Sequence, residues 1–344
     1  MTLTQAFLNQ SETCTRMGSP LMGRVLKILA DRWDETSKLG QKMAEYQGDT
    51  GPAGHSLPLR IGGGLHALVL QARDPDLIAA YPPNYTDDAT LESAVIKALK
   101  TNEDFFLDWT VNAPQTNEVR RSAALIPMAH VATSYFDRPI VLSELGASGG
   151  LNLMWDHFAL RANDTHFGPQ GAVLTLEPEW SGPVPAGGSP QIVDRSGVDL
   201  NPLNLQDETD TLRLLSYLWA DQPHRVDLTR AAMSVLTAKV EKGDAIDWLE
   251  QRLASAPEGH MHMIQHTVAW QYFPKEKQEH GTALIEAAGS RATPETPIAW
   301  VQMETDGDAT GAVGAALTLR LWPGDITLHL GRADFHGRWI NWAG

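Results

Sequence analysis

The sequence predicts an α/β protein: a mostly parallel sheet that ends in an antiparallel hairpin, preceded by an all-helical N-terminal domain. Up to about residue 136, apolar residues recur at helical spacing and nowhere alternate as in a strand. From Pro139 onward, short apolar runs alternate with amphipathic segments, the pattern of successive strand–helix units. The last two apolar runs are separated only by Pro323-Gly324-Asp325, a turn signal. The expected division is a helical domain over 1–116, covering the cleft, and an α/β domain over 117–344.

Residues 20–33 set Leu21, Val25, Ile28, Leu29 and Trp33 on one helical face, with Ser19-Pro20 as a start signal. Segments 64–80, 91–107 and 118–135 repeat that pattern, and 47–58, rich in Gly and Pro, reads as a loop. Gly62 to Gly64, with Arg60 and His66, reads as a tight glycine turn able to hold an anion at a helix start. Ile140-Val141-Leu142 reads as a strand and 149–160 as a helix. Strands follow at 172–176 and 192–200, with an excursion loop over 177–190 between them. Helices built on Leu212 to Trp219 and on Leu228 to Leu236 come next. Then come a weak strand over 240–245, a helix over 246–256, a strand over 260–270, a helix over 275–288 and a strand over 297–304. Segments 316–322 and 326–331 close the chain as the hairpin.

A chain of 344 residues with 42% hydrophobic and 20% charged content has the make-up of a soluble globular protein. Its net charge of −15 argues against a broad basic surface for nucleic acid or anionic lipid. The single cysteine, Cys14, has no internal partner and is expected to be an incidental thiol in a polar stretch, in a reducing cytoplasm. The N-terminus lacks a basic start and a long apolar core, so no signal peptide is expected. No uncharged apolar run reaches the ~18 residues of a membrane span.

The chemistry centres on "ELGASGG", residues 144–150, at the end of the first strand. Gly146 to Gly150 fits G-x-S-x-G, the elbow that presents a nucleophilic serine. His266, His329 or His336, preceded by Asp244 or Asp306, would complete a hydrolase triad around Ser148. In that fold, however, several strands precede the elbow, whereas the residues before Pro139 read as helices. The same turn suits a ligand beyond a strand's carboxyl end, where small residues let the backbone approach. The dinucleotide fingerprint fails, since the third and sixth positions from Gly146 are Ser148 and Leu151. A phosphate-binding P-loop fails too, because no lysine follows the glycines.

What remains, E-x-G-x-S-x-G, resembles motif I of the class I S-adenosylmethionine-dependent methyltransferases, whose domain is Rossmann-like. Ser148 stands where their middle glycine is usual. The resemblance runs over about residues 117–344. It implies S-adenosylmethionine as cofactor and a contact set of Glu144, Gly146, Ser148 and Gly150 in the turn. It further implies Asp199 of "GVDLNP" at the ribose, and Asp244 and Ala245 of "KGDAIDWL" at the adenine. The spacing from Glu144 to Asp199 exceeds the ~20 positions of a dinucleotide unit, and the 177–190 excursion would account for it. Asn117 and Arg121 of "QTNEVRR" would meet the methionine carboxylate. His266, at the carboxyl end of a central strand, is the candidate general base. Trp270 and Tyr272 shape an acceptor pocket or fill the core, the core being preferred. Glu304 ends the fifth strand of the sheet, facing the cleft or capping a loop. His260, His262 and His266 share a strand face, but no cysteine or carboxylate converges with them, so no metal is expected.

The whole chain also looks like the bacterial family of domain of unknown function 2332. The carriers are "LPLRIGGGLHALVL", "QTNEVRRSAALIP", "ELGASGGLNL", "DLNPLNL" and "TVAWQYFP". The sequence-level expectation is methyl transfer to a small-molecule acceptor. Two alternatives are a catalytically silent S-adenosylmethionine- or nucleotide-binding protein of the same fold, kept open by the lack of an N-P-P-Y type motif, and the serine hydrolase.

Overall fold

A computed structural model describes residues 1–51, 54–185, 187–254, 258–307 and 314–344. In chain order the α-helices are α1 (Leu3–Arg16), α2 (Pro20–Arg32), α3 (Lys38–Ala44), α4 (Leu57–Leu70), α5 (Pro75–Ala80), α6 (Asp88–Thr101), α7 (Glu103–Trp109), α8 (Ser122–Tyr135), α9 (Glu208–Ser216), α10 (Pro223–Met233), α11 (Ala245–Ala254) and α12 (Lys275–Gly289). The strands are β1 (Ile140–Leu145), β2 (Ala159–Ala162), β3 (Thr165–Phe167), β4 (Thr175–Leu176), β5 (Glu179–Ser181), β6 (Ile192–Asp199), β7 (Lys239–Lys242), β8 (Met261–Thr267), β9 (Ile298–Glu304), β10 (Ala315–Trp322), β11 (Ile326–Ala333) and β12 (Trp339–Trp342). The chain divides into two compact units, Met1–Thr116 with Asn204–Asp227, and Asn117–Leu203 with Leu228–Gly344. Among the described residues no helix is long and apolar enough to cross a membrane.

The first unit is helical. Ser19 accepts from the Met22 amide ahead of Pro20, the expected start of α2, whereas the expected helix over 64–80 is interrupted: Asp74 accepts from the Leu77 amide ahead of Pro75, starting α5 apart from α4. The expected single helix over 91–107 breaks at Asn102 into α6 and α7. Cys14 lies on the buried face of α1, not in a polar stretch, and burial pushes its thiol up to about 11. The core joins Phe7, Leu26, Leu29, Ile61 and Leu65 to Trp219, which the 204–227 segment contributes.

The glycine run Gly62 to Gly64 is not a turn. It lies inside α4 with every residue buried, so no anion site forms there. A Cβ on Gly63 would stand 2.4 Å from Tyr217, and one on Gly64 2.6 Å from Phe106. The glycines let aromatic rings lie against the helix backbone. Arg60 is spent on the carbonyls of His55, Thr110 and Val111, and His66 Nδ1 meets the Ser216 carbonyl.

The second unit is built on a Rossmann-like sheet of nine strands among the described residues, in the order β5-β12-β11-β10-β9-β8-β1-β6-β7. From β9 through β7 neighbours are parallel, while β9, β10, β11 and β12 run antiparallel and β5 joins β12 in parallel. All six residues of β1 are buried, as a central parallel strand requires. The chain enters at β1, steps outward to β6 and β7, and returns to β8 on the other side of β1. That reversal makes the β1–β8 boundary the switch point, the usual ligand position in such sheets.

Three local expectations need correction. The expected helix over 149–160 is a 3-10 segment, Leu151–His157, followed by β2 in a small sheet of order β3-β2-β4. The closing hairpin is extended by β12, and the 177–190 excursion contains β5. The helix expected over 246–256 is seen as α11, its last two residues lying outside the described residues.

Candidate functional site

Strand alternation assigns the polar residues at the switch point to two faces. Glu144 of β1 is in register with Gly197 of β6 and Gln265 of β8, so these three share a face. The 3-10 segment lies on that face: Gln265 accepts from Trp155 Nε1 at 3.1 Å and donates to the Asn152 carbonyl at 3.1 Å. Ser143, Leu145, Ile264 and His266 point to the other face, where α11 and α12 pack through Leu249 and Ile285.

Beyond Glu144 the chain turns sharply. Gly146, Ser148 and Gly150 have φ of +71°, +53° and +78°. Glycine adopts such angles freely, whereas a serine does so at a cost of about 1 kcal/mol or more. The turn is packed closely: a Cβ on Gly146 would lie 2.7 Å from the Ala269 Cβ, and one on Gly150 2.9 Å from Val240. Gly197 leaves room for Ala147, which a Cβ would approach to 2.6 Å. The Ser148 amide donates to Asp199 Oδ2 at 2.9 Å, and Asp199 Oδ1 accepts from the Asn201 amide at 2.9 Å. Asn117 Oδ1 accepts from the Leu151 amide at 2.8 Å, tying the start of the α8 segment to the turn.

Two polar atoms in this cluster are buried with no hydrogen-bond partner, Glu144 Oε2 and Ser148 Oγ. Burial pushes the Glu144 carboxyl up to about 8, against the opposing pull of Gln265 and Arg121; Asp199 adds to the rise. Near neutral pH Glu144 therefore holds its proton.

Glu144, Gly146, Ser148, Gly150, Asp199 and Asn117 thus come together around one turn. Arg121 reaches its edge, donating to the Thr267 carbonyl at the end of β8 and to the Phe335 carbonyl. Asp244 sits one strand further out, where the Gly243 amide meets the Asp199 carbonyl at 3.0 Å. Its carboxylate caps α11 through the Ile246 and Asp247 amides and pairs with Lys277, contacts that hold it below the usual range despite partial burial. Ala245, the first residue of α11, packs in the core.

His266 is not on Glu144's face. It is fully buried, its ring stacked on Trp270 at 4.9 Å. The Trp300 indole can only donate, so Nε2 accepts at 2.9 Å and Nδ1 carries the proton towards Glu304 at 2.8 Å. Glu304 Oε1 also accepts the Ala269 amide at 2.9 Å. Both ring nitrogens are committed to a strut that fixes the β8 and β9 ends. Tyr272, expected in the core, is 68% exposed.

His262 is buried on the same face, bonded to Ser143 Oγ at 2.8 Å, with its ring pushed down to about 3 by burial and by Arg252. His260 precedes β8 and bonds to the Glu258 carbonyl. Among the described residues no group of His, Cys, Asp and Glu is placed to hold a metal. Ser148 Oγ has no imidazole partner. Gln265 and Trp155 were missed from the sequence, although a glutamine inside an apolar strand run was a visible signal.

The "GRADFHGRW" segment forms a clasp. Asp334 accepts from the His336 and Arg338 amides and from the Arg338 guanidinium, bending the chain against Arg120 so that a Cβ on Gly337 would meet the Arg120 carbonyl at 2.3 Å. The sequence matches no curated protein. A family model described as "Uncharacterized protein conserved in bacteria (DUF2332)" matches residues 4–342, and with nearly its whole length so covered the chain belongs to that family.

Proposed function

We propose that the second unit has a class I methyltransferase-type fold, binds S-adenosylmethionine at the β1–β8 switch point and directs methyl transfer to a small-molecule acceptor. The observation that carries this is Glu144: an acid buried at the switch point whose Oε2 has no partner. A buried polar atom without a partner costs about 1–3 kcal/mol, and a ligand donor would relieve that cost. The residues that would hold the cofactor are Glu144, Ser148 and Asp199. S-adenosylmethionine, when bound, supplies an electrophilic methyl group, and the chain supplies position and exclusion of water. No base is assigned, because His266 is committed to Trp300 and Glu304 on the far face. That same commitment favours a second reading, a protein that binds the cofactor without turning it over. A single cysteine, buried as a thiol, suits a reducing cytoplasm.

Calorimetric titration with S-adenosylmethionine and its demethylated product tests the proposal. Micromolar binding that Glu144→Ala abolishes is the expected result, and transfer of a labelled methyl group separates the enzyme from the silent binder. Absence of binding by both compounds would sink both readings.

A further inference from the structure

The glycine turn of a Rossmann-like sheet ordinarily receives phosphate through free backbone amides. Here the amides of Gly146, Ala147, Ser148, Gly150 and Leu151 are spent. The Gly146 and Ala147 amides both donate to the Val198 carbonyl at 3.0 Å, and the Gly150 amide donates to the Ala147 carbonyl at 2.8 Å. The Ser148 amide is taken by the Asp199 carboxylate and the Leu151 amide by Asn117. A phosphate placed at the turn would meet a carboxylate at the very amide it needs. The segment that follows is a 3-10 helix of seven residues, not an α-helix presenting its start.

The side chains offer the opposite of an anion site. Ser148 is 4% exposed, and its hydroxyl and Glu144 Oε2, on either side of the turn's start, are two buried oxygens with no hydrogen-bond partner. Ser148 also carries a left-handed φ of +53°, which a glycine would adopt without strain. In the free protein this residue bears backbone strain and an unmet hydroxyl, and its side chain bonds to nothing in the fold.

We propose that the turn takes a phosphate-free ligand, of the nucleoside or amino-cation kind, whose N–H or O–H donors are received by the Ser148 hydroxyl and Glu144 Oε2, and that it excludes nucleotides. This rests on the switch point being a ligand site, as proposed above, and narrows what that site accepts. It makes Ser148 a specificity residue in its own right.

The test is calorimetry on the full chain with S-adenosylmethionine, its demethylated product, adenosine, AMP and NAD, alongside thermal unfolding of the free Ser148→Gly and Ser148→Ala variants. The first three compounds are expected to bind, with AMP and NAD at least about tenfold weaker. Ser148→Gly should raise the melting temperature of the free protein and Ser148→Ala should not lower it, while each weakens adenosine and S-adenosylmethionine about tenfold, the value of one hydrogen bond. AMP or NAD binding as tightly as adenosine overturns the inference. So do variants that lose stability and keep affinity, because the hydroxyl would then be structural. Binding in the expected order without labelled-methyl turnover sinks methyl transfer alone. Turnover with AMP competing as well as adenosine sinks this inference alone. No binding by any of the five compounds sinks both.

Discussion

Gly63 in α4 and Gly146 after β1 both lack a side chain because something else occupies its place, yet the two positions differ in kind. At Gly63 the backbone is helical and only space is short, since the Tyr217 ring lies where a Cβ would go. At Gly146 both space and conformation are restricted, with φ at +71° and Ala269 against the missing Cβ. Each run also sits beside a buried titratable group, His66 in the first unit and Glu144 in the second, and burial shifts the two in opposite directions. Sequence composition alone does not separate a helix thinned for packing from a turn shaped for a ligand; the surroundings do.

The largest expected effect tests the polar half of that contrast. Glu144 has a folded-state carboxyl near 8 against 4.5 for an ordinary one. The folded state therefore holds a proton that the unfolded chain releases, and stability falls as pH rises from about 4.5 through about 8. At 1.36 kcal/mol per unit the loss is on the order of 5 kcal/mol. Glu144→Gln should match the native protein at pH 5 and exceed it at pH 9 in urea midpoint; an equal offset at both pH values would refute the assignment.

Next comes Gly146→Ala, which combines left-handed strain with overpacking against Ala269 and should cost about 2–4 kcal/mol by chemical denaturation. Gly63→Ala should cost less, about 1–2 kcal/mol, because the clash with Tyr217 is offset by nearly 1 kcal/mol of helix propensity. A pairing with Tyr217→Leu should recover most of the Gly63→Ala loss and none of the Gly146→Ala loss. If both recover alike, the two glycines do not differ as described.

The smallest effect is in the acid limb. Burial holds the His66 ring below its ordinary value, so the folded state resists a proton that the unfolded chain takes up. Stability contributed there is complete above about 6.5 and declines as pH falls. His66→Asn should flatten the stability profile of the first unit below pH 6.5 and leave the alkaline limb unchanged, as read by hydrogen exchange of α4 amides.

Much of the sheet was legible because its central strands are short apolar runs between turn signals: Ile140–Leu145 and Met261–Thr267 needed no other information. β5 and β12 were not legible, since Glu179–Ser181 is a strand only by pairing with the distant β12, and the short Trp339–Trp342 is one by pairing with β11 and β5. That Glu144, Ser148 and Asp199 lie together was legible because a strand end, a small-residue turn and an acid leave local marks. His266, the candidate base, has both ring nitrogens bonded to Glu304 and Trp300 on the face opposite Glu144. Its position at a strand end was readable, but the face it points to depends on the register of β8 against β1. Cys14 was misjudged for a related reason, polar neighbours in sequence hiding a buried helical face.

The order in which the chain visits the two units has a consequence for how the molecule is made. During synthesis the first 116 residues emerge together, but Trp219 and Tyr217 of their cores arrive only after β1 and β6 have been translated. β1 must likewise wait for β8, with Met261 beside Ile140, before its second flank is covered. Neither unit can finish in the order in which it is written, so loop closure over long separations precedes the gain from contact. A nascent chain halted before residue 204 is expected to bind a hydrophobic dye and a chaperone, and one released at full length to lose both.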